Sequence, residues 1–169
     1  MIFSFIRQCV EHMVTRGPSN KLFSRLRCKY YHHKLMPGSR KFSSMTGLAI
    51  PCPEKVFIGS HVTMNEHVII NACNGGEIHI GEDCLIGPFT VMRAADHIFD
   101  DPGTPIRLQG HKGGKIVLEG DVWIGAHVTI TRNVTIGKGS VIGDNSVVTH
   151  DIPPYSVAVG RPAEVIKKR

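Results

Sequence analysis

The sequence predicts an all-β fold, a parallel β-helix of hexapeptide repeats, behind a basic and mostly helical front segment. Three observations predict it. An aliphatic residue returns every six positions through most of residues 58–148. The two long breaks in that beat fall at equivalent places. Charge also divides the chain: residues 1–50 hold nine Lys/Arg against the single acidic Glu11, while residues 51–169 hold eleven against thirteen Asp/Glu.

The front segment comes first. A chain of 169 residues has room for one domain and an appendage. We divide it into a basic, helical segment 1–50 and a repeat domain 51–169, with SRKFSS (39–44) as the linker. Ile2, Ile6, Cys9 or Val10, and Met13 recur at helical spacing. Such a segment suits two solvated helices packed on the body, or peripheral contact with an anionic membrane. No nucleic-acid partner is expected. No stretch approaches the roughly 20 apolar residues of a membrane span. The opening MIFSFIRQCV lacks the basic start and small-residue cleavage site of a secretory signal, so the expected location is cytoplasmic. The cysteines, five in number and without a CxxC pair, are expected as buried thiols rather than disulfides or zinc ligands.

The repeat follows. Ile58, Met64 and Ile70 make one set of three beats, and Ile80, Ile86 and Met92 a second. Leu118, Ile124 and Ile130 make a third, and Ile136, Ile142 and Val148 a fourth. Four positions after most beats stands a small or β-branched residue: Val62, Cys84, Thr90, Val122, Val128, Val134, Ser140 and Ser146. A period of six fits neither a helix nor a half-buried strand. It fits a short strand and a turn with one large inward side chain per face. Three such units close a triangular coil, and coils stack about 4.8 Å apart. From Ile70 to Ile80 the beat gains four residues, and from Met92 to Leu118 it gains twenty. Both surpluses follow the third face of a coil, so both leave the prism at one corner. An expelled loop on a rigid scaffold is where chemistry tends to sit. The loop is taken as residues 97–117, opened by His97, with Asn74 and Gly75 at the same corner one coil away.

The hexads, VWIGAHVTI at 122–130 and VTIGKGSVIGDNSVVTHDIPPYSVAVGRPAEVI at 134–166 together resemble the left-handed parallel β-helix acyltransferases. The resemblance is to the maltose/galactoside and capsular or O-antigen sugar O-acetyltransferase branch. It covers roughly residues 55–169 and implies a homotrimer with sites between neighbouring prisms, acetyl-CoA as donor and a saccharide hydroxyl as acceptor. It implies His97 as general base, since an imidazole can take the proton of a hydroxyl attacking a thioester. Asp96, Asp100 and Asp101 are candidates to orient the ring, Asp100 among the site residues, and Asn74 or a backbone amide to meet the oxyanion. For CoA it implies Trp123 and the Ala126 amide along the pantetheine arm. Gly143, Asp144 and Thr149 would lie beyond them, and Arg161 and Lys167 on the phosphates.

Three positions depart from the family pattern: His67 stands where an acceptor-side asparagine is usual, Asn74-Gly75 where an aspartate pair is, and His150 where a lysine is. His111, inside the loop, rivals His97 as base. His61, His67 and His127 occupy third places in their hexads and are read as lying on prism faces. Three other readings stay open: an N-acetyltransferase of an amino sugar or antibiotic, a zinc β-helix like the carbonic anhydrases, and a non-catalytic binding scaffold. No metal site is assigned.

Overall fold

Every beat residue points inward. In the computed structural model, which describes residues 2–169 and the side chains of residue 6 and of 8–169, all twelve from Ile58 to Val148 are at most 1% exposed. Three parallel faces result. Face I stacks Val56–Ile58, Glu77–Ile80, Lys115–Leu118 and Val134–Ile136. Face II stacks Ser43–Ser44, Thr63–Met64, Leu85–Ile86, Trp123–Ile124, Val141–Ile142 and Ser156–Gly160. Face III stacks Ile69–Asn71, Val91–Arg93, Thr129–Ile130 and Val147–Val148. Register keeps like over like: Ile58, Ile80, Leu118 and Ile136 pair in sequence, as do Met64, Ile86, Ile124 and Ile142. Each coil therefore covers the apolar layer of the one before it, which a lone coil leaves open to water.

The second row of small residues fills the corners from inside. Val62, Cys84, Thr90, Val122, Val128, Val134, Ser140 and Ser146 are all buried. Their hydroxyls are satisfied by carbonyls: Thr90 donates to Gly125, Ser140 to Pro153 and Ser146 to Gly143. Outside, each corner turns through one left-handed residue. His61, His67, Asp83, Phe89, Asp121, His127, Asn133 and Asn145 all have φ between 48° and 58°. This corrects the placement of His61, His67 and His127 on faces: they are corner residues, at a position shared with Asp83, Asp121, Asn133 and Asn145, whose residue types tolerate left-handed backbone, and with Phe89, whose type does not favour it.

The front segment forms α1 (Ile2–Arg16) and α2 (Lys21–His32). Asn20 caps α2 by accepting from the Phe23 N–H at 3.0 Å. Ile6, Val10 and Met13 of the expected α1 stripe are exposed, so they do not pack on the body; the Ile2 side chain lies outside the described residues. What ties the helices down is Arg27, fully buried. Its guanidinium donates to the carbonyls of Val14, Gly17, Pro18 and Ser44 and to the Ser44 hydroxyl.

Two expectations give way here. SRKFSS is no linker: Ser43 and Ser44 pair in parallel with Thr63 and Met64, and Phe42 is buried in the core. The Met36 and Arg40 amides bond to Val56 and Ile58, and Ala49 bridges Ile69. Residues 36–50 are thus a first coil with an imperfect hexad, which the residue-50 boundary cuts through. Cys52 and Cys73 are joined as a disulfide between the end of that coil and the turn after face III. Their sequence separation gave no signal for it. Cys28 and Cys84 are buried thiols as expected, whereas Cys9 is exposed.

Candidate active site

Both surpluses in the beat leave the corner between faces III and I. The shorter is a tight turn with Asn74 at φ 59° and Gly75 at φ 82°. The longer opens as an antiparallel ribbon of Ala95–His97 against His111–Gly113, with Ala95 opposite Gly113 and His97 opposite His111. The two meet: a Cβ on Gly113 would stand 2.1 Å from the Gly75 carbonyl oxygen. Glycine at 113 is therefore required by close approach of the two backbones, and the Asn74 turn buttresses the base of the ribbon.

His97 and His111 stand opposite one another on the ribbon. Their rings face each other across the ribbon, centroids 4.2 Å apart and tilted by 41°, both exposed. The orienting carboxylate expected for His97 is not found. Asp96 pairs with Arg132 of the next coil. Asp101 accepts from the Thr104 hydroxyl at 2.6 Å and the Gly103 N–H at 2.8 Å, and these bonds hold its carboxyl below the ordinary value. Gln109 closes the same loop by donating to the Asp101 and Thr104 carbonyls. Asp100 is exposed, and among the described residues none of the three aspartates is bonded to His97. Beyond the ribbon the loop exposes Phe99, Ile106 and Leu108, each at least 55% accessible.

The residues assigned to CoA gather elsewhere. Trp123 is 55% exposed on the outside of face II. It lies in a cross-coil row with Leu85, Val141 and Val157 that ends at Lys167 of the antiparallel strand Ala163–Lys168. At the corner from face II to face III, the Ala126 N–H donates to the Asp144 carboxylate at 2.8 Å. The Ala126 N–H is thus bonded within the chain. Gly143 precedes that carboxylate, and Arg161 donates from Nε to the Asn145 carbonyl at 2.6 Å. Thr149 stands apart, on the His97 corner two coils further on, bonded to His150.

The corner from face II to III also holds an arrangement the sequence reading missed. His67, Phe89 and His127 stack ring on ring, with centroids 5.1 Å and 4.8 Å apart and interplanar angles of 14° and 6°. Their shared place in the hexad was the available signal; the left-handed turn that aligns the rings was not recognised. Among the described residues no group of three or more His, Cys, Asp or Glu is placed to hold a metal ion.

A triangular prism of hexads with one extruded ribbon defines a class of protein. Residues 115–150 match the family described as bacterial transferase hexapeptide (six repeats). The repeat region thus carries the hexapeptide motif of these transferases, and the chain has their left-handed parallel β-helix fold. It is 42% identical over 117 residues to the polysialic acid O-acetyltransferase of Escherichia coli O1:K1 / APEC, a match covering 68% of this chain and 36% of that protein. The chain thus spans little more than a third of that curated relative. Among solved structures it resembles a maltose O-acetyltransferase from Clostridium difficile 630 with a TM-score of 0.82 and 26% identity, over 95% of this chain and 83% of that one. It also resembles a hexapeptide-repeat acetyltransferase from Vibrio cholerae O1 biovar eltor complexed with acetyl-coenzyme A, with a TM-score of 0.77 and 29% identity, over 95% and 84%.

Proposed function

We propose that the chain is an acetyl-CoA-dependent O-acetyltransferase acting on a saccharide hydroxyl, with His97 as general base and a site completed by a neighbouring copy in a trimer. The observation that carries this reading is the division of the site between corners. His97, His111 and Asn74 share the corner between faces III and I, whereas Trp123, Ala126, Gly143, Asp144, Arg161 and Lys167 gather on face II and its far corner. Face III lies between them, so one chain does not bring donor and base together. A second prism presenting its face II corner to the ribbon would. Exposed Phe99, Ile106 and Leu108 supply apolar surface for that contact.

The donor fits what is present. The Leu85–Trp123–Val141 row gives an apolar track for the pantetheine arm, and Arg161 and Lys167 are exposed cations at its end. The similarity to a Vibrio cholerae structure holding acetyl-coenzyme A supports the same choice. The acceptor hydroxyl gives its proton to a ring nitrogen of His97 as its oxygen attacks the thioester carbonyl carbon. The C–S bond then breaks, and the imidazolium returns the proton to the leaving sulfur. His111 lies where it can hold the His97 ring by direct contact, the task expected of an aspartate. Asn74, at the ribbon's base, is the candidate donor to the developing oxyanion.

The test is incubation with acetyl-CoA and a panel of free sugars, amino sugars and acidic polysaccharides, with thiol release and product mass both read. An acetyl ester on a saccharide is expected. An amide product would move the protein to N-acetylation, and thiol release that no acceptor accelerates would refute transfer.

A further inference from the structure

The strongest feature left unused by this site is the groove between α2 and the first coil. It encloses about 500 Å³, is floored by the apolar side chains of Cys28 and Phe42, and is rimmed by Arg25, Lys29, His32 and Lys41. It continues past Lys21 at one end and Arg40 at the other, and among the described residues no acidic side chain lines any part of it. Lys21, Arg25 and Lys29 recur every fourth residue, so their charges stand about 6 Å apart in a row along the helix. A row of cations over an apolar floor calls for an anionic ligand.

We propose that this groove receives phosphate headgroups of an acidic membrane surface, with the helical pair lying on that surface. The neighbouring side chains decide between a membrane and a soluble polyanion. Leu22 and Leu26 form a second row one residue along, about 100° round the helix from the cations, and both are exposed. On α1, Ile6, Val10 and Met13 form another exposed row at helical spacing. Apolar rows beside a cationic row are what an interfacial helix presents, its aliphatic side chains entering the acyl boundary while cations meet phosphates. A polyanion in water offers those aliphatic residues nothing. No described helix is long and apolar enough to cross a membrane, which makes the contact peripheral.

Charge completes the argument. The nine cations of residues 1–50 face one acidic residue, and the rest of the chain is net acidic. Attraction to an acidic surface therefore acts on the helical end and orients the prism with its first coil toward the lipid.

The experiment is sedimentation of the full-length chain with vesicles of phosphatidylcholine alone or mixed with phosphatidylglycerol. The chain is expected to sediment with the mixed vesicles only and to be released by salt. Each cation near such a surface is worth about fivefold in partitioning, so the triple variant Arg25→Gln/Lys29→Gln/Lys41→Gln should bind roughly a hundredfold more weakly. Leu22→Ser/Leu26→Ser should also weaken binding while leaving the charge unchanged. Melting temperatures within a few degrees of the parent keep either variant interpretable. Wild-type sedimentation by the triple variant would overturn the proposal. So would failure to bind mixed vesicles, whether or not inorganic phosphate binds, because phosphate binding alone would mark a soluble-anion site. A changed oligomeric state in the triple variant with unchanged sedimentation would assign the groove to a second copy of the chain.

Discussion

Ile124→Ala removes an inward beat from the middle of face II, where the side chain is fully buried between Ile86 and Ile142 in adjacent coils. The magnitude follows from what is lost. About three methylene-sized groups leave the core at ~0.8 kcal/mol each, giving ~2.4 kcal/mol of transfer free energy. The parallel strands above and below are held by backbone bonds and cannot collapse freely, so a cavity term adds to this and the total falls at about 3–5 kcal/mol. Against a typical domain stability of about 5–15 kcal/mol, that is roughly a fifth or more. Trp123, the one tryptophan, neighbours the substitution and reports unfolding by fluorescence. With a urea slope of about 2 kcal/mol per molar, the midpoint should fall by roughly 1.5–2.5 M at fixed protein concentration. The control is Ile166→Ala, 60% exposed on the last strand, which should cost under about 0.5 kcal/mol. Equal shifts for the two would refute the stacked core.

Four further outcomes follow from the same physics. Mixing His97→Ala with Arg161→Ala trimers and letting subunits exchange should restore about a quarter of the sites if each is built from two chains, as read by transfer rate; no recovery would place the site within one chain. Alkylation of the native protein without reductant should label Cys9, denaturant should add Cys28 and Cys84, and Cys52 and Cys73 should require reduction. Burial pushes the Cys84 thiol up to about 11; because the folded state favours the neutral form, this contribution is full below the unfolded value near 9 and is lost as pH rises toward 11, so Cys84→Ala should flatten the loss of stability over that interval. Arg27→Ala takes a donor from the carbonyls of Val14, Gly17 and Ser44 and, at about 1–3 kcal/mol for each buried polar group left unsatisfied, should destabilise the front end, read as earlier proteolytic release of the helical pair.

The core was legible because a six-residue period leaves no other geometry for its aliphatic residues, and the side chains of Ile58 through Val148 stand where the count places them. The corner of the extruded loop was legible for the same reason. What lay beyond was not. The first coil, residues 36–50, carries Phe42, Leu48 and Ile50 inward without a clean hexad, so SRKFSS within it reads as linker. The pairing of His97 with His111 depends on an antiparallel register that no hexad count contains. The bond that Asp144 accepts from the Ala126 amide was not legible, because one corner turn docks on the next only once the coils are stacked. The disulfide joins residues from different coils and leaves no local signature.

The claim that His97 on the ribbon is the base of an acetyl transfer is tested most directly by the steady-state rate of His97→Ala with acetyl-CoA and the acceptor found by screening. General-base loss predicts a fall in kcat of about 10²–10⁴-fold with the melting temperature unchanged. His97→Ala turning over at the rate of the parent would contradict the account.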